Sequence, residues 1–321
     1  PFNFPINIAM HKIGPAFAAG NSIMFKPGPQ NTATAAMLTE LCYEAGIPEN
    51  VLQMCIPDVP DMPALIAHKD ISAVNFTGGT AAADSIAMAA GYKKLLLELG
   101  GNDPLIIMPD GDIKGAVSAA INQRFATAGQ RCTAAKRIFV HQDVYAEFRD
   151  ALVAASSVLT VGDPTSEATF VGPVINTRAA DEVKQRIDQA VELGANVLLG
   201  NEREGNIIYP TILDNVPDNC DLMIEETFGP VMPLRSFCNI DELIPLINNS
   251  AYGLQGGVFT QNLTVAKFLF EELDIGTLAV NDGPGFRTEH FPFGGVKASG
   301  VGREGIKYAI REMSFTKTLV I

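Results

Sequence analysis

Ser72-Ala73-Val74-Asn75-Phe76 and Lys94-Leu95-Leu96-Leu97-Glu98-Leu99-Gly100-Gly101-Asn102 are two apolar, strand-length runs that flank an alanine-rich helical segment over residues 81–90. Strand, helix, strand in this order is a βαβ unit, which implies a parallel sheet covered by helices. The same alternation extends back towards the N-terminus. Residues 22–26 read as extended and 32–45 as helical, then 51–56 as extended and 62–68 as helical, with Gly20-Asn21 and Gly46-Ile47-Pro48 supplying turns and helix stops. Forward of the unit, 112–127 reads as helical, 137–141 as extended and 144–159 as helical. A loop over 161–173 then leads to an amphipathic helix over 178–193 and a strand over 195–199. The fold class is α/β. Beyond Gly276 the chain is glycine-rich, and it closes in a β-prone tail over residues 316–321, suited to edge pairing with another subunit.

The 321 residues can bury a sizeable core without cross-links. The five cysteines, Cys42, Cys55, Cys132, Cys220 and Cys238, are scattered, and four histidines are too few to complete a zinc set. That pattern predicts no metal and fits a reducing, cytoplasmic setting. A net charge of −13 disfavours nucleic acid or an anionic membrane as partner. No apolar run approaches the roughly 20 residues of a membrane span. The opening Pro1-Phe2-Asn3-Phe4-Pro5 has no initiator methionine and reads as cut from something longer.

Gly300-Val301-Gly302-Arg303-Glu304-Gly305 matches the dinucleotide fingerprint G-x-G-x-x-G, but the chain ends too soon for the second strand and its acid, so a loop is expected. Gly129-Gln130-Arg131-Cys132-Thr133 is more informative. It sets a cysteine in a glycine-containing turn after a helical pattern, beside an arginine that favours thiolate over thiol. Glu98 falls at the C-terminal end of a buried strand, where α/β sheets hold ligands and where a general base belongs. Cys42, Cys55, Cys220 and Cys238 read as scaffold.

Asn3 in Pro1-Phe2-Asn3-Phe4-Pro5, Lys26-Pro27, Phe76-Thr77-Gly78, Glu98-Leu99-Gly100-Gly101, Gly129-Gln130-Arg131-Cys132, Glu226-Thr227-Phe228-Gly229-Pro230 and Pro292-Phe293-Gly294-Gly295 occur in the order found in aldehyde dehydrogenases. The chain resembles that family from end to end. The resemblance implies a Rossmann-like cofactor domain over residues 1–99, N-terminally incomplete, a catalytic domain over 100–300, and a C-terminal segment with an oligomerisation strand over 301–321. Relatives carry roughly a further third of sequence ahead of the first motif.

By the same resemblance Cys132 attacks the aldehyde, and Asn3 with the Cys132 N–H receives the oxyanion. Glu98 activates the water that hydrolyses the thioester left after hydride transfer to the nicotinamide. Lys26 would lie along the adenosine ribose, and Gly78 and Gly79 would admit the pyrophosphate. Glu226 would bind the nicotinamide ribose, with Phe228 packing beside the ring. NAD is the favoured cofactor. NADP stays open because Pro29 stands where many NAD-preferring relatives place a glutamate, and Ala83 replaces a later glycine.

Arg131, Arg287 and His290 point to an anionic aldehyde held by charge-assisted bonds. The Arg-Cys pairing resembles the branch containing non-phosphorylating glyceraldehyde-3-phosphate, lactaldehyde and phosphonoacetaldehyde dehydrogenases. The expected substrate is phosphonoacetaldehyde or a similarly short phosphonate or sulfonate aldehyde, with glyceraldehyde 3-phosphate, lactaldehyde and semialdehydes as alternatives. Against this, Arg287 could brace the glycine loop and Arg131 could pair with a core carboxylate. Arg124 is a lesser candidate. The competing classes are a cofactor-independent thioesterase or esterase using Cys132 and Glu98, and an inactive truncated homologue. A homodimer or homotetramer is expected.

Overall fold

Leu96 and Leu97 lie buried in the strand Lys94–Glu98, which pairs in parallel with Ala73–Thr77 so that Thr77 stands opposite Glu98. The helix Thr80–Ala90 connects the two, turning Ala83, Ile86 and Ala90 onto Ile66, Leu97 and Leu99. Burying each large aliphatic side chain contributes about 1.5–3 kcal/mol, enough to fix the helix on the sheet. The computed structural model describes residues 1–321. It divides into a first unit of Pro1–Leu99, Arg287–Gly294 and Gly300–Ile321, and a second of Gly100–Phe286 and Gly295–Ser299.

In the first unit a second parallel pair, Ile23–Phe25 with Leu52–Met54, carries its own small core of Ala9, Ile13, Leu38, Cys42 and Leu52. That core is covered by the helices Asn7–Ala18 and Thr32–Glu44. Gly300–Val301 pairs antiparallel with Lys94–Glu98, Gly300 facing Glu98, and Glu304 forms a bridge with Phe293. The G-x-G-x-x-G run is therefore sheet edge and loop, as its context implied. This pairing also departs from the sequential division at residues 99 and 300, because residues 287–294 and 300–321 pack with the N-terminal third.

The second unit is built on a seven-stranded sheet. Its order is Thr277–Val280, Gln255–Phe259, Pro104–Ile107, Arg137–His141, Val231–Phe237, Thr211–Asp214 and Asn196–Leu199. Every pair is parallel except the last. Leu105, Ile106, Ile107, Ile138, Phe139 and Val140 are fully buried, as continuous apolar runs in a sheet covered on both faces must be. The amphipathic segment forms the helix Thr177–Glu192, with Ala180, Val183, Ile187 and Ala190 buried at helical spacing. The Asn176 side chain caps it by accepting from the Ala179 N–H at 2.9 Å.

The β-prone tail forms no strand within the chain itself. Residues 314–321 have no regular structure and 315–321 are exposed. β-Propensity makes a strand only where a partner supplies the ladder, and no strand of the chain pairs with this tail. No helix is long and apolar enough to cross a membrane.

Candidate active site

The candidate residues are distributed over the two units. In the second unit the helix Ile113–Phe125 stops abruptly and the chain turns left-handed over Thr127, Ala128 and Gly129, at φ of 57°, 51° and 70°. Two non-glycine residues in this region are strained and persist only where surroundings enforce them. The enforcement is visible. Arg124 donates to the carbonyls of Thr227, at 3.1 Å, and Val231. The buried Gln130 receives the Ile175 N–H at 2.8 Å and donates to the Pro173 carbonyl at 3.4 Å. A Cβ on Gly129 would stand 2.2 Å from the Gly229 carbonyl oxygen, so only glycine allows the two loops to meet here. Cys132 follows in a turn, half-buried. Arg131 donates to Thr127 Oγ1 at 3.2 Å through Nη2, and burial lowers its pKa against the pull of Cys132.

Behind Cys132 stands Lys136, 1% exposed. Its ammonium reaches the Cys132 carbonyl at 2.7 Å, the Gly101 carbonyl at 2.5 Å and Glu226 Oε1 at 2.5 Å. The Gly101 N–H also donates to Glu226 Oε1, at 3.1 Å. Gly100 lets the Glu226 carboxylate approach closely, since a Cβ there would be 2.2 Å from Glu226 Oε2 and would push that side chain aside. Arg186 holds the backbone of the same loop through the Glu226 carbonyl and Thr227 Oγ1. Phe228, half-buried, has the Lys136 ammonium 5.7 Å from its ring centroid. The expected Glu226 and Phe228 thus lie on a loop braced by three cations.

In the first unit Glu98 is 4% exposed, and neither carboxyl oxygen has a hydrogen-bond partner. Burial raises its pKa well above the ordinary value and Glu304 adds to this, while Lys12, Arg287 and Arg303 oppose it. Glu304 is the counterpart. Burial works to raise its pKa, yet a bond to His11, the Lys12 ammonium at 2.6 Å and Arg287 at 3.1 Å hold it at about 2. Two carboxyls in one unit are therefore driven apart, one kept charged and the other easily protonated. Asn3 lies in a turn and its Oδ1 accepts the Phe4 N–H at 3.1 Å, which fixes the orientation of the amide.

Lys26 directly follows the strand Ile23–Phe25, and Gly78 and Gly79 follow Ala73–Thr77. Gly79 is the N-cap of Thr80–Ala90 without a side-chain cap, and nothing lies within 4 Å of where its Cβ would be. Uncapped helical N–H groups beside open space fit a phosphate group. Arg287 uses Nη2 on Glu304 and on His11 Nδ1, at 2.9 Å, and its guanidinium stacks 3.9 Å from the Phe293 ring centroid. These are bracing contacts of the kind weighed against an anion role. His290 is exposed.

Sequence reading missed Lys12, Lys136 and Glu304. Lys136 carried one signal, a lone lysine between Ala134-Ala135 and the buried run Ile138-Phe139-Val140. Glu304 lay inside the rejected fingerprint, and nothing near Lys12 in sequence announces its partner 292 residues away.

Residues 1–319 match the profile of the aldehyde dehydrogenase family, and the chain belongs to that family. It is 69% identical over 321 residues to a sulfoacetaldehyde dehydrogenase of Neptuniibacter caesariensis, covering all of this chain and 70% of that protein. A 3-sulfolactaldehyde dehydrogenase of Priestia aryabhattai is 41% identical over 322 residues, again covering all of this chain, and 68% of its own length. Among solved structures, the glyceraldehyde-3-phosphate dehydrogenase GapN of Methanocaldococcus jannaschii, complexed with NADP, superposes with a TM-score of 0.96 at 36% identity. The match covers 100% of this chain and 71% of that one.

Proposed function

We propose that the protein oxidises a short aldehyde with an anionic tail, sulfoacetaldehyde ahead of phosphonoacetaldehyde, to the carboxylic acid with NAD(P)+. The observation that carries this reading is the 69% identity along the whole chain to a sulfoacetaldehyde dehydrogenase. It agrees with the Arg131 guanidinium donors next to Cys132. A sulfonate offers three oxygens to such donors. Lys26, Gly78 and Gly79 would hold the dinucleotide's adenosine side, Glu226 and Phe228 its nicotinamide side. No carboxylate occurs between Lys26 and Asn31 to repel a 2′-phosphate, so NADP is accommodated.

Cys132 Sγ bonds to the aldehyde carbon while Asn3 and the Cys132 N–H receive the oxyanion. The bound nicotinamide supplies the hydride acceptor. Glu98, as carboxylate, takes a proton from water as the water oxygen bonds to the acyl carbon. The C–S bond then breaks, restoring the thiolate and releasing the acid. We also propose assembly as a homodimer or homotetramer, supported by Phe315, Leu319, Val320 and Ile321, all exposed on the tail. Elution as a stable, active monomer in size-exclusion chromatography would overturn that.

The functional test is nicotinamide reduction, followed by near-ultraviolet absorbance, with sulfoacetaldehyde, phosphonoacetaldehyde, glyceraldehyde 3-phosphate, succinic semialdehyde and propanal, each with NAD and NADP. Sulfoacetaldehyde is expected to give the highest kcat/KM, and Arg131→Ala to lose the preference for anionic aldehydes. Equal turnover of propanal overturns the substrate assignment. Thioester hydrolysis without any nicotinamide reduction would instead identify a hydrolase.

A further inference from the structure

We propose that Lys136 is a positioning residue that holds the nucleophile's backbone and Glu226 in one register, so that a ligand on Glu226 alters the reactivity of Cys132. The proposal rests on the catalytic reading of Cys132. An ammonium has three N–H bonds, and Lys136 has three acceptors: the carbonyls of Cys132 and Gly101 and the carboxylate of Glu226. At 1% exposure such a cation is tolerable only with its donors satisfied and a counter-charge at hand. The counter-charge is Glu226. The nearby Asp103 is pushed up to about 8, chiefly by burial, which disfavours its charged form. Arg137, which also faces Asp103, spends its Nε on the Asn102 carbonyl at 2.8 Å.

Gly101 closes a ring, its N–H on Glu226 and its carbonyl on Lys136. Glu226 cannot move towards a ligand's hydroxyls without loosening Lys136, and Lys136 cannot loosen without releasing the Cys132 carbonyl. Displacements of about 1 Å at a reacting group change rates by up to roughly a hundredfold, so the clamp has consequence.

The test is the rate of Cys132 alkylation by iodoacetamide, followed by mass spectrometry of its peptide, with and without NADP+, in the wild type, Lys136→Met, Glu226→Gln and the double variant. We expect Lys136→Met to change the cofactor-free rate roughly tenfold and to abolish its response to NADP+. Glu226→Gln is expected to change the cofactor-free rate in the same direction by a smaller factor. The double variant is expected to match Lys136→Met, because both substitutions open one clamp. A folded Lys136→Met with the wild-type rate and response, or additive effects in the double variant, overturns the proposal. Should Lys136→Met fail to fold by circular dichroism, Glu226→Gln decides, and a wild-type cofactor-free rate there overturns it. Failure of the underlying reading is distinguishable: Cys132→Ala would then still oxidise aldehyde, whatever the alkylation rates.

Discussion

Glu98 is a carboxyl kept from water with neither oxygen hydrogen-bonded, and its useful form is the costly one. As the proposed base it must be ionised, yet burial and the charge on Glu304 favour the neutral acid. Deacylation is therefore expected to rise with pH through a pKa above the ordinary 4.5, not to be complete at that value. Glu98→Gln removes the base without changing shape. It should lower kcat at least a hundredfold and let acyl-enzyme accumulate, seen as a burst of reduced nicotinamide equal to the enzyme present. Wild-type turnover of the Gln variant would remove Glu98 from the mechanism. Cys132 and Glu98 could be singled out from sequence because each sits in a short run whose local structure positions it. Lys136 and Glu304 could not, because their meaning lies mainly in partners that arrive from distant segments.

The turn over residues 127–129 shows the same limit at the scale of an element. The helical pattern runs on through Thr127, but the helix ends at Phe125, because contacts from the loop around residues 227–231 outweigh local propensity. Gly129 was visible as a glycine beside the cysteine, whereas the left-handed Thr127 and Ala128 have no compositional mark. Gly129→Ala combines a positive φ with a backbone collision, and should destabilise by about 2 kcal/mol or more in chemical denaturation. Gly20→Ala is the comparison: its φ is +80° but nothing lies within 4 Å, so only the conformational penalty of about 1 kcal/mol applies. Equal losses for the two would mean that the approach of the Gly229 carbonyl is not what requires glycine. The tail over 316–321 shows that propensity alone does not make a strand. Its residues favour a strand, and the chain offers it no neighbour to pair with.

The first unit is assembled from both ends of the chain, and so is its charge balance: Lys12 from the N-terminal helix, Glu98 from the sheet, Arg287 and Glu304 from the C-terminal returns. This unit should respond to pH on two sides. Glu304 is held at about 2 against an ordinary 4.5, so its contribution, about 3 kcal/mol, is complete above pH 4.5 and disappears as pH falls towards 2. Glu98 is shifted the other way. The stability of its neutral form is present at low pH and is lost as pH rises through its raised pKa. Thermal melting across pH 3–9 separates the two. Glu304→Gln should melt lower than wild type at pH 7, because Lys12 and Arg287 lose their counter-ion, and its acid limb should be flatter. Glu98→Gln should melt higher than wild type on the alkaline side and no differently on the acid side, since it fixes the uncharged form. Because Glu304 follows burial as a cause of the Glu98 shift, Glu304→Gln should also move the pH limb of deacylation downward. A downward move without the flatter acid limb would mean that the two carboxyls interact but that the surrounding cations do not lower the Glu304 pKa in the folded chain. Parallel melting profiles in all three proteins would overturn the assignment of opposite charge states altogether.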